Sequence, residues 1–107
     1  PENSSLRNSN RQPISTSTRR LLQTLSGNTC ASPECSNTLI DAGGTWIGEF
    51  AHIYAASPNG PRGSGDLATE ELNNPENLIL LCRICHKIVD GNPHRYPVKL
   101  LKDWKRL

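Results

Sequence analysis

Two short thiol pairs, Cys30-x4-Cys35 and Cys82-x2-Cys85, limit what this chain can fold into more than any other feature. Spacings of this kind let two knuckles converge on one tetrahedral ion, which obliges residues 36–81 to fold back on themselves. Disulfides are the competing use of four thiols. The polar opening PENSSLRNSN lacks the apolar centre of a signal peptide. No run approaches the ~18 apolar residues of a membrane helix. Both observations point to a soluble cytoplasmic protein in a reducing compartment, where disulfides rarely persist. The expectation is a structural Zn²⁺ held by Cys30, Cys35, Cys82 and Cys85. A tetrathiolate site has no open position for water, so any catalytic metal must sit elsewhere.

Composition explains why such a staple is needed. With 107 residues, of which 35% are hydrophobic, the chain has room for one small domain and is short of core. A two-domain enzyme is excluded. The formal charge of +2 hides a polarity along the chain. Residues 30–78 carry Arg62 against seven acids, whereas residues 79–107 carry seven bases against Asp90 and Asp103. A basic last quarter beside an acidic middle suits a site that grips phosphates at one edge and holds cations nearby, although solvated charge runs are commoner.

Residues 1–16 are rich in Ser, Asn, Thr and Arg and are expected as a flexible polar tail. Residues 17–107 form the domain, with a core over 30–90 and a C-terminal helix over 97–107. Ser17 or Thr18 is placed to cap a short helix carrying Leu21, Leu22 and Leu25, and Gly27 to end it. TLIDAGGTWIGEFAHIYA reads as a β-hairpin turning at Asp41–Gly44. SPNGPRGSG is a surface loop, LATEELNNPEN a polar helical turn, LILLC a short buried run and CRICHKIVDG a compact helix. YPVKLLKDWKRL closes the chain as a helix with Pro97 in its first turn and an apolar stripe of Leu100, Leu101, Trp104 and Leu107. That stripe reaches Leu107 without a capping residue, so the chain reads as an excerpt of a longer protein.

The chemistry-bearing side chains cluster in the same stretch. On the second hairpin strand Phe50, His52 and Tyr54 share one face, and Glu49, Ala51 and Ile53 the other. His86 and Asp90 are spaced i, i+4 on a helix and can offer nitrogen and oxygen to one divalent cation. Arg83 and Lys87 flank that face with positive charge. Arg62, in the Gly/Pro loop, is a further candidate for phosphate contact, with solvent as the alternative. His94 reads as surface, and Trp46 and Trp104 as core.

A His on a hairpin strand, an Asn ahead of a buried run and a His directly after a Cys-x2-Cys knuckle together resemble the HNH endonuclease family, the ββα-metal nucleases, in zinc-stapled form. The matching residues are Cys30, Cys35, AHI with His52, PENLILLC with Asn77, and CRICHKIVD with Cys82, Cys85, His86 and Asp90. The resemblance implies an α+β fold of ββα-metal type with a zinc knuckle and flanking short helices. It implies His52 as general base, Asn77 as the residue that orients loop and hairpin, and His86 as a ligand of Mg²⁺ or of Mn²⁺ or Ni²⁺. Many members carry an Asp or His just before the first His, where this chain has Ala51. The second ligand is therefore assigned to Asp90. Asn77 and Glu49 are the weaker candidates, Glu49 because it lies on the strand face opposite His52. Asn73 and Asn74 compete with Asn77 for the loop-orienting role.

The reaction so implied is hydrolysis of DNA, double-stranded and without base specificity from this domain, leaving 5′-phosphate and 3′-hydroxyl ends. The resemblance extends to nuclease modules of bacterial anti-phage defence proteins, in which a separate domain senses the signal. Two other readings compete: a non-catalytic zinc-knuckle module that binds nucleic acid, made possible by Ala51, and a zinc-stabilised protein-interaction domain.

Overall fold

The structure is a computed structural model that describes residues 13–55, 60, 62, 63, 65 and 67–106. Most of the expected tail and the expected stripe residue Leu107 lie outside the described residues, as do several positions of the Gly/Pro loop. The first helix, α1 (Thr16–Ser26), is capped by Ser15, whose Oγ accepts from Thr18 N at 3.2 Å. The cap therefore stands ahead of the expected Ser17 or Thr18, which lie inside the first turn. Ile14 packs against the core, so the folded part begins before residue 17. Gly27, at φ 63°, ends the helix in the left-handed conformation that glycine adopts without a Cβ clash. Of the helix leucines Leu22 alone is buried, and Leu25 remains 72% exposed.

The strand pairing departs from the expected hairpin. The turn itself forms, with Asp41 Oδ1 accepting from Gly43 N and Thr45 N, both at 2.9 Å. Its arms are held by the single Ile40–Trp46 bridge, in which Asp41 N donates to Thr45 O at 2.9 Å and Ile47 N to Leu39 O at 2.7 Å. From Gly48 the chain leaves that arm. Strand β1 (Gly48–His52) pairs antiparallel with β2 (Leu78–Cys82), Gly48 opposite Cys82 and His52 opposite Leu78. The reason is burial: LILLC is buried at all five positions, so its backbone groups need a ladder partner that water cannot replace. The first hairpin arm buries Leu39 and little else, and offers no such surface.

Strand β2 runs directly into α2 (Arg83–Gly91), with Cys82 as the junction and Val89 as the buried helix residue. Helix α3 (Val98–Arg106) follows a short turn and inserts Leu101. The core gathers Leu22 of α1, Leu39, Ala51, Ile53, the whole of β2, Val89 and Leu101, with Trp104 packed at its edge. Trp104 lies 5.7 Å from the Tyr96 ring, edge to face. Trp46, expected in the core, is 38% exposed beside Phe50, because the weak hairpin arm carries it to the rim. Two 3-10 turns, Thr69–Glu71 and Pro75–Asn77, replace the expected helical turn ahead of β2. The result is a small α+β domain whose antiparallel strand pair feeds a helix, the ββα arrangement.

Candidate functional site

The cysteines converge. The loop after α1 brings Cys30 and Cys35 against the β2–α2 junction, and the four Sγ atoms lie within 4.8 Å of one another. Zinc–sulfur bonds of ~2.3 Å at tetrahedral angles put sulfurs ~3.8 Å apart, and the Cys35–Cys82 pair stands at 3.9 Å. That spacing is nearly twice a disulfide bond of about 2.05 Å. Backbone N–H groups point at the sulfurs: Cys82 N to Cys30 Sγ at 3.3 Å, Asn37 N to Cys35 Sγ at 3.4 Å, and Cys85 N to Cys82 Sγ at 3.5 Å. Burial alone would raise the Cys82 pKa, but the Cys85 N–H and the Asn37 amide overcome it and hold that thiol down to about 7. Burial pushes the Cys30 and Cys85 thiols up. The donor set and its spacing fit a structural metal ion such as zinc, which would take the charge that these buried thiols cannot carry alone.

At the other end of α2 sits a polar cluster of different chemistry. His86 lies between two carboxylates, its Nδ1 2.6 Å from Glu49 Oε1 and its Nε2 3.0 Å from Asp90 Oδ2. The hydrogen bond that His86 donates to Asp90 is the largest cause raising the His86 pKa; burial opposes it and Glu49 adds to it. Burial would raise the Asp90 pKa, yet the bonds from His86 and Arg62 hold it below the usual carboxylate value. Glu49 enters because α2 packs across the strand face it shares with Ala51, whereas Ala51 is itself buried and carries no ligand atom. Glu49, ranked below Asp90 in the sequence, therefore reaches His86 just as Asp90 does.

Arg62 does not face outward as a phosphate contact. Its side chain is 3% exposed, and Nη2 meets Asp90 Oδ1 at 2.7 Å. Its other bonds go to backbone carbonyls: Ile53 O at 2.9 Å, His52 O at 3.2 Å, Val89 O at 3.3 Å and Tyr96 O at 3.5 Å. A buried guanidinium needs such a full set of acceptors. It ties the end of β1 to the end of α2. Arg62 has φ 64°, a backbone conformation rare outside glycine and with no reliable signature in sequence.

His52 closes β1, and its Nε2 lies 2.7 Å from Asn73 Oδ1. An amide oxygen can only accept, so Nε2 carries the proton and Nδ1 keeps its lone pair in the neutral ring. From the sequence Asn73 is only a rival to Asn77, because a contact made through a 3-10 turn has no short-range signature. Asn77 is buried and fastens the chain just beyond His52. Its Oδ1 accepts from Tyr54 N at 2.8 Å, and its Nδ2 donates to Tyr54 O at 3.0 Å and Leu72 O at 2.8 Å. The His52 ring is not joined to the His86 cluster directly; Arg62 links them through the His52 carbonyl. Arg83 and Lys87 are exposed on α2, Arg83 Nε lying 3.7 Å from Glu49 Oε2. His94 is exposed, on the turn before α3.

An antiparallel strand pair feeding a helix, four clustered cysteines at the helix start and a histidine among carboxylates one turn on define a ββα domain with a candidate structural metal site. The family model described as HNH endonuclease matches residues 25–90, and the chain belongs to that family. Membership points to a nuclease-type hydrolase, with nucleic acid as the substrate class. No curated protein sequence matches the chain. Among the described residues, no helix is long and apolar enough to cross a membrane.

Proposed function

We propose that this protein is a divalent-cation-dependent DNA endonuclease in which His52 is the general base and His86, with Asp90 and Glu49, holds the cation. The observation that carries this reading is the different setting of its two histidines. His52 is oriented by a neutral amide that leaves Nδ1 free to accept a proton. His86 is set among carboxylates, a donor set of one imidazole and two carboxylates that suits Mg²⁺, Mn²⁺ or Ni²⁺. One carboxylate would share the cation with His86 while the other holds the remaining ring N–H, the usual outer-shell partner of a ligating histidine. When bound, the cation supplies positive charge to a phosphate whose negative charge grows as the reaction proceeds.

His52 Nδ1 takes a proton from water, and the water oxygen attacks phosphorus in line with the leaving 3′-oxygen. The phosphorus–O3′ bond breaks, the 3′-oxygen gains a proton from solvent, and a 5′-phosphate remains. Asn73 holds the ring of the base, Asn77 the backbone behind it, and Arg62 the carboxylate. The four cysteines bind zinc as a structural ion. Arg83 and Lys87 meet the duplex backbone without reading bases. A cytoplasmic bacterial setting and a separate sensing domain belong to the same reading and rest on the family resemblance alone.

A non-catalytic nucleic-acid-binding module is the second reading, favoured by the buried Ala51 where many members of the family carry an Asp or His. Incubating supercoiled plasmid with the zinc-loaded chain and Mg²⁺ or Mn²⁺ separates the two. Cutting that disappears in His52→Ala supports the nuclease; equal cutting by His52→Ala removes the general-base role, and plasmid binding without cutting supports the module.

A further inference from the structure

Helix α3 places Lys102 and Lys105 at i, i+3 on one face, and that face forms one wall of a cavity of about 580 Å³. The opposite wall is made by the two 3-10 turns, which bring Glu71, Asn74 and Glu76 to the cavity. Tyr54 completes it, and Lys102 Nζ lies 5.4 Å from the centre of the Tyr54 ring, at cation–π distance. The ring is held on both sides of its backbone by Asn77 and is packed against Gly65. A Cβ on Gly65 would come within 2.8 Å of Tyr54 Cε1, so the close approach needs glycine.

The charges on the two walls are not joined in ion pairs, although Glu71 Oε1 accepts from Ala68 N at 2.7 Å and offers its other oxygen. Among the described residues neither Lys102 nor Lys105 has a carboxylate at ion-pair distance, and neither Glu71 nor Glu76 has a cation there. Burial pulls the Lys105 pKa down, with Glu76 across the cavity partly restoring it. A half-desolvated ammonium without a close counter-ion is stabilised by an anion. Carboxylates on the facing wall would repel a simple phosphate, but they accept hydrogen bonds from an amino group. The cavity therefore fits a ligand that is anionic at one end and an N–H donor at the other. Its volume falls within the ~300–1,000 Å³ of small-ligand sites.

We propose that this cavity is a nucleotide subsite, with the phosphate on Lys102 and Lys105 and the exocyclic amino group of adenine, cytosine or guanine on Glu71 and Glu76. Its wall adjoins the general base, since Tyr54 follows His52 by two residues and Asn74 follows Asn73. Resting on the nuclease reading, the site holds a nucleotide beside the scissile phosphate and so makes the enzyme sensitive to base at that place. Thymine, which has no exocyclic amine, is the disfavoured base.

The test is fluorescence anisotropy of the zinc-loaded His52→Ala chain with single-stranded dA, dC and dT decamers over a range of salt. Decamers of dA and dC are expected to bind at least about fivefold more tightly than dT. Glu76→Ala should bring that ratio towards one. Lys102→Ala with Lys105→Ala should weaken all three alike and flatten the slope of log K against log salt by about 0.7 for each ammonium lost. Competition by free 5′-AMP, and not by 5′-TMP, would assign the site to free nucleotides; competition by neither assigns it to the strand. Equal binding of all decamers, or an unchanged slope in the double variant, overturns the proposal. Plasmid cutting by wild type alongside equal decamer binding leaves the nuclease reading standing alone. Uptake of AMP that depends on Lys102 and Lys105, without any oligonucleotide binding, supports the cavity and removes the nuclease reading.

Discussion

The two ends of α2 use opposite physical chemistry. At its start, four sulfurs and the N–H groups aimed at them form a closed, largely buried knot. One turn on, His86 and Asp90 are 25% and 35% exposed, and their ligand atoms are nitrogen and oxygen. Soft, buried thiolates suit an ion that never leaves; hard, half-wet carboxylates suit one that exchanges and meets substrate. A single nine-residue helix thus carries a soft-donor cluster and a hard-donor cluster.

Stripping the sulfur end tests that division most severely. Cys82→Ser should empty the metal site and unfold the domain, because structural zinc contributes roughly 10–16 kcal/mol of apparent binding free energy in small zinc modules. Metal analysis and circular dichroism report it, and a folded, metal-free variant would show that the cluster is not the staple. Arg62→Leu is expected to cost about 3–5 kcal/mol in chemical denaturation while zinc stays bound, since Asp90 and four carbonyls lose their partner. His52→Ala should lower the cleavage rate by about 10²–10⁴-fold and leave both ends structurally intact, checked by melting temperature and zinc content.

The smallest effect lies in the pH dependence of stability. Asp90 has its pKa lowered by folding, so its contribution is present above the ordinary value of 3.8 and is lost as pH falls through the lower folded value. His86 has its pKa raised, so its contribution is full below 6.5 and is lost as pH rises through the higher folded value. The stability gap between wild type and Asp90→Asn should therefore be widest near pH 5 and narrow in both directions. With the carboxylate about one-third exposed, it is on the order of 1 kcal/mol. A gap that keeps widening above pH 7 would show that the pair does not hold a proton.

Legibility follows the same division. Cys82 and Cys85 are read directly, because a knuckle is local and its spacing is a property of the chain. The i, i+4 relation of His86 and Asp90 is read in the same way. Glu49 and Asn73 reach their histidines through strand register and a 3-10 turn, neither of which has a short-range signature. The hairpin differs from its sequence pattern for a related reason: the Asp41–Gly44 turn is locally convincing, but the partner of β1 is chosen by which strand most needs cover.

The sequence by itself determined the family, the two cysteine pairs and the helix that carries His86, all of which rest on local spacings. Only the tertiary structure decided that Arg62 turns inward to Asp90, that Glu49 joins His86, and that α3 faces two glutamates across a cavity. Those contacts join residues far apart in the chain. Which of them form depends on the burial of LILLC and on a left-handed backbone at one loop residue, and neither is encoded within a short window.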